Sequence, residues 1–189
     1  MLVLYITGYL LLTEVEAFKI IFSMMALSYI IAVFGGIIGD YILGYYNSCV
    51  VGVIFFLIGN ISLFVPSNTG FLFGITFISL SEGILRTNIT ALLVRYTKSK
   101  NFRENVVNSI FTTYYSFVNL GIALGILLGS VLGEIFGWNL TFLFSGLVGI
   151  CAVYILYLGK NHLKHNFNSL NQNFNYVNSK KKNTSIYSF

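Results

Sequence analysis

Apolar positions in this chain run continuously rather than alternating, and short polar turns separate the runs. From residue 41 to residue 81 there is no Asp, Glu, Lys or Arg, which at roughly 20 residues per crossing is about two bilayer spans. The turn cluster Pro66-Ser67-Asn68-Thr69-Gly70 contains the only proline and divides that stretch, predicting helices over 48–65 and 71–94. Residues 20–39 are also uncharged. Lys19, whose stem can carry its ammonium to the interface, precedes them and Asp40 follows, predicting a helix over 17–39. After a polar loop bearing Arg95, Lys98, Lys100, Arg103 and Glu104, two more runs predict helices over 106–132 and 140–158. The opening run, 1–12, would make only about 18 Å of helix against a hydrocarbon core of about 30 Å. It reads as half a helix, the chain beginning inside a span. A cleaved signal peptide fits poorly, since no Lys or Arg precedes the run and no small-residue cleavage site follows.

Composition agrees with that pattern. Of 189 residues 56% are hydrophobic and 9% charged, with a mean hydropathy of +0.80, whereas soluble domains are roughly 25% charged. The expected class is all-α, a multi-spanning membrane helical bundle. Lys19 and Arg86 lie within helices, and the other nine of the eleven Lys and Arg fall in the 95–103 loop or after Gly159. The positive-inside bias therefore places that loop and the C-terminus in the cytoplasm of a multi-pass protein of the cell (inner) membrane. The net charge of +5 is thus topological, and no basic face interleaved with aromatics suggests nucleic acid. Residues 161–189, rich in Asn, Lys and Ser, read as a disordered cytoplasmic tail. His162 and His165 read as solvated there, with no third ligand for a metal. Cys49 and Cys151 read as small hydrophobes within spans. No Walker loop and no nucleophile with its base occurs, so neither an enzyme nor a cofactor is expected.

Polar groups inside the spans carry the functional signal. Arg86 falls about midway along its helix, where an arginine costs about 2.5–3.5 kcal/mol. Glu82 lies one turn earlier, in the favourable order for an ion pair. The pair could simply let the helix insert, or the cation could face an aqueous cavity, with Asn88 and Thr90 extending the polar face. Gly121, Gly125, Gly129 and Gly133 form a small-residue stripe suited to close helix packing. Tyr114, Tyr115 and Asn119 precede it, available to a neighbouring helix or to a polar solute. Gly35, Gly36, Asp40 and Gly44 form a hinge-like turn whose acid can cap the next helix or pair with a basic residue.

These residues resemble the proton-coupled oligopeptide transporters of the major facilitator superfamily. Gly35-Gly36-Ile37-Ile38-Gly39-Asp40-Tyr41-Ile42-Leu43-Gly44 is similar to that family's Gly-Gly-x-x-Ala-Asp-x-x-Leu-Gly signature. Gly83-Ile84-Leu85-Arg86-Thr87-Asn88-Ile89-Thr90 is similar to Gly-x-x-Lys-Pro-Asn-x-Ser of its fourth helix. Tyr114-Tyr115-Ser116-Phe117-Val118-Asn119-Leu120-Gly121 resembles Phe-Tyr-x-x-Ile-Asn-x-Gly of its fifth, and Gly137-Trp138 the Gly-Trp opening its sixth.

The resemblance implies the N-terminal six-helix half of a major facilitator fold with helix one truncated, lacking the first-helix Glu-x-x-Glu-Arg-Phe motif. It implies substrate contacts at Arg86, Asn119 and Tyr29, with short peptides and protons as solutes, membrane lipid as surroundings, and a second transporter half or a homo-oligomer as partner. The implied function is proton-driven uptake of di- and tripeptides. The alternative is a transport-inactive remnant or a structural membrane protein. Departures from the pattern are Arg86 for lysine, Thr87 for proline, and Tyr41, Tyr45 and Asn47 where basic residues flank the acid. Glu82 is expected to partner Arg86 in place of the first-helix glutamate.

Overall fold

The computed structural model describes residues 2–65 and 67–160; the tail expectation for 161–189, with His162 and His165, lies outside the described residues. These form α1 (Leu2–Gly8), α2 (Glu14–Ile37), α3 (Tyr45–Phe64), α4 (Asn68–Ser99), α5 (Glu104–Phe136) and α6 (Trp138–Lys160). The last five are each long and apolar enough to cross a membrane. Their short connections make successive spans antiparallel. The α1–α2, α3–α4 and α5–α6 turns therefore lie at one end of the bundle, and the α2–α3 and α4–α5 turns at the other.

Helix ends extend beyond the apolar runs because local polar chemistry sets them. The chain leaves α1 through Leu11, at φ 55°, and α2 starts at Glu14 rather than 17 through a capping box. There the Glu16 N–H donates to Thr13 Oγ1 at 3.3 Å and the Thr13 N–H to Glu16 Oε2 at 3.0 Å. Ser67 Oγ caps α4 by accepting the Gly70 N–H at 2.9 Å. At its far end α2 widens into a π-helical turn, Ile38–Ile42, before Gly44 at φ 76° redirects the chain into α3.

Packing centres on α4, which lies against both α2 and α3. Glycine permits the close approach. A Cβ at Gly59 would lie 2.7 Å from Ile78 Cγ1 and 3.0 Å from the Gly74 carbonyl oxygen, and one at Gly83 would lie 2.5 Å from the Ser28 carbonyl oxygen. At the α1 end, Tyr5 and Ile6 are buried with Ala17, Leu63, Phe71, Ile75 and Phe142, joining five helices in one apolar cluster. At the other end the Tyr46 hydroxyl donates to the Leu156 carbonyl at 3.3 Å, tying α3 to α6.

Candidate functional site

Arg86 projects from the middle of α4, and its guanidinium donates to the Glu82 carboxylate one turn earlier. Both side chains stay about half exposed, at 49% and 47%, on the open surface of the bundle. The Arg86 Cζ also sits 5.0 Å from the centroid of the Tyr29 ring on α2, within cation–π range. Tyr29 is itself exposed. Three of the residues singled out from sequence, Tyr29, Glu82 and Arg86, thus meet across the α2–α4 seam. The cluster offers a held cation, an acid beside it and an aromatic face, a combination suited to an anionic group with a neighbouring amine or amide.

The hydrogen bonds that fix this seam are ones the sequence reading missed. Thr87 Oγ1 donates to the Ala32 carbonyl on α2 at 2.9 Å. Asn88 Nδ2 donates at 2.9 Å both to the Gly35 carbonyl and to Ile84 within its own helix. Asn88 is fully buried, so it does not extend the polar face of Arg86. Two residues on at about 100° each, it points to nearly the opposite side of the helix. Thr90 does lie on the Arg86 side, but its hydroxyl donates to the Arg86 carbonyl. Helical spacing alone could have separated Asn88 from the exposed face.

The remaining candidates are placed as follows. Asn119 is exposed on α5, and among the described residues no hydrogen bond joins its side chain to the Tyr29–Arg86–Glu82 cluster. The Gly121–Gly133 stripe is used unevenly. Gly133 packs against the Trp138 indole, 2.6 Å from where a Cβ would stand, and Gly129 is buried, whereas Gly121 and Gly125 have nothing within 4 Å of such an atom. Both border an apolar groove of about 630 Å³ between α5 and α6. Gly35 and Gly36 lie against Ile84 and Thr87 of α4. Asp40 does not cap α3; it accepts the Tyr45 hydroxyl proton instead. Cys49 is buried and Cys151 exposed. Among the described residues no group of His, Cys, Asp and Glu could hold a metal.

The family model described as Major Facilitator Superfamily matches residues 1–186. The chain belongs to that superfamily. Within it, the chain is 26% identical over 172 residues to dipeptide and tripeptide permease B of Xenorhabdus bovienii, covering 89% of this chain and 34% of that protein. It is 26% identical over 148 residues to dipeptide and tripeptide permease A of Escherichia coli, covering 77% and 29%. A crystal structure of a mutant of peptide transporter POT in complex with alafosfalin superposes with a TM-score of 0.75 at 20% identity, over 85% of this chain and 34% of that one. The same transporter with sulfate gives 0.75 over 84% and 33%. This superfamily member therefore has the fold of a peptide-transporter portion, a multi-pass membrane protein resembling the N-terminal part of such transporters. It spans about a third of the length of the curated relatives it matches.

Proposed function

We propose that this superfamily chain contributes the N-terminal half of a proton-driven di- and tripeptide uptake path in the cell (inner) membrane, with its C-terminus in the cytoplasm. The carrying observation is the Tyr29–Arg86–Glu82 cluster on the open α2–α4 surface. In this reading Arg86 receives the peptide carboxylate, Tyr29 lends an aromatic wall and Asn119 meets the peptide backbone from α5. Glu82 holds Arg86 when no peptide is bound and releases it to the incoming carboxylate. Names of the relatives support the substrate class, being dipeptide and tripeptide permeases. Solute sites in such transporters lie near the midplane between two repeats. The open surface accordingly has a facing partner, either a second six-helix half or a second copy of this chain.

Binding of a labelled dipeptide to the full chain in lipid nanodiscs, and its proton-dependent uptake into cells expressing the chain, test the reading. A charge-assisted hydrogen bond contributes about 1.5–3 kcal/mol, so Arg86→Ala is expected to weaken binding about tenfold or more, while Tyr29→Phe, which keeps the ring, changes it little. No dipeptide binding by a well-inserted wild-type chain, or binding indifferent to Arg86→Ala, would remove the proposal.

A further inference from the structure

The groove of about 630 Å³ between α5 and α6 is walled by small residues on both helices, Gly121, Gly125 and Gly129 on one side and Thr141 and Ser145 on the other. It is the open continuation of an interface already formed. Toward the α5–α6 turn Gly129 is buried and Gly133 packs on the Trp138 indole, whereas a Cβ at Gly121 or Gly125 would meet nothing within 4 Å. Beside those two glycines stand Ile122 and Ile126, both exposed and one turn apart. A slot and a branched ridge of the same spacing thus lie side by side on α5, which makes the helix complementary to itself. The Ser145 hydroxyl also lines the slot and makes no hydrogen bond among the described residues.

We propose that this surface pairs two copies of the chain, the Ile122–Ile126 ridge of each seated in the α5–α6 groove of the other. Copies in one membrane insert the same way, so the pair is parallel, related by a two-fold axis along the membrane normal, and one patch serves both partners. Charge permits this arrangement. No Asp, Glu, Lys or Arg lines the groove, and Glu134, nine residues beyond Gly125, falls about 180° round the helix at about 100° per residue, so like charges do not meet. Length suffices as well: the α5 wall runs from Gly121 to Leu132, about 16 Å or three turns. In lipid, helices associate through van der Waals packing and close backbone approach, which glycines at four-residue spacing allow. A seated helix also brings backbone carbonyls within reach of Ser145, whereas acyl carbons offer it no acceptor. The contact requires no peptide and lies away from Arg86, so it stands independently of the transport reading.

The test uses the full chain in membranes under mild oxidation, with Cys151→Ser so that only the buried Cys49 remains, plus one added cysteine. Val118→Cys, two turns before Gly125 on the same face, is expected to give a covalent dimer of twice the chain mass. Leu120→Cys, about 200° round the helix from it, is not. Equal cross-linking at both positions would mean random collision. That result, no product at Val118→Cys, or a product whose mass reveals a different protein would each overturn the proposal. Affinity is read by energy transfer between donor- and acceptor-labelled chains diluted in phosphatidylcholine vesicles. Gly125→Leu should weaken association about tenfold or more, the effect of a modest overpacking cost. Ile126→Ala should weaken it less, and Leu120→Ala should leave it unchanged. Thermal melts of the dilute variants separate lost pairing from lost folding. If Gly125→Leu does not fold, Ile126→Ala carries the comparison, and association unchanged in the folded variants would overturn the pairing.

Discussion

The α3–α4 pair and α5 use the same residue, glycine, to different ends. Of the most apolar stretch of each helix, 39% of residues are buried in α3 and 33% in α4, but only 6% in α5. Glycines recur along all three. Gly59 and Gly74 let the α3 and α4 backbones close to where any side chain would collide, whereas Gly121 and Gly125 border open space. In lipid there is no hydrophobic drive between helices, so a small-residue stripe becomes a contact only when a ridge from another helix fits into it. Ile78 and Leu63 supply such ridges in α3 and α4. Trp138 supplies one for Gly133 alone. The free length of α5 is thus a surface shaped for contact and left open, beside a pair already locked.

Substitutions sharpen that contrast. Gly59→Leu forces methyl groups into the Gly74 backbone and should cost about 3 kcal/mol, at the upper end of overpacking penalties. The readout is loss of the thermal transition of the chain in detergent. Next in size is Glu82→Gln, which strips the carboxylate from Arg86 and exposes the insertion cost of an arginine, about 2.5 kcal/mol. Less protein should accumulate in membranes than for Glu82→Gln with Arg86→Gln together, and an equal or greater loss in the double variant would count against the pairing.

Asn88→Ala removes a bond between α2 and α4 and should lower stability by about 0.6–1.7 kcal/mol. It should also rescue part of the damage of Gly39→Ala, whose Cβ would stand 1.9 Å from Asn88 Oδ1. A double-mutant cycle in the melting temperature reads this coupling. Smallest is Gly125→Leu, within about 0.5 kcal/mol in the isolated chain. A loss as large as that of Gly59→Leu would show that α5 is packed after all and dissolve the contrast.

Much of the site was legible from spacing, because an i, i+4 pair such as Glu82 and Arg86 meets on any helix regardless of what surrounds it. The Tyr29–Arg86 contact was reachable only by family resemblance, since the two lie on different helices. Thr87 and Asn88 were legible as polar but not as fasteners. Their partners are backbone carbonyls of α2, and a carbonyl leaves no trace in the sequence. The Tyr45–Asp40 bond joins two side chains across the α2–α3 turn, whose geometry residue spacing does not fix, so from sequence the acid reads only as a cap of the next helix or as the partner of a basic residue.

Charge placement and run length alone determined that the chain is a bundle of apolar helices long enough to span a membrane. Lipid imposes this: every backbone group must be bonded within its own helix, so a long apolar run has essentially one conformation. Which glycines become contacts and which polar side chains turn inward were decided only by tertiary structure. Those outcomes depend on the azimuth and approach of one helix against another, and no single helix encodes its neighbour's.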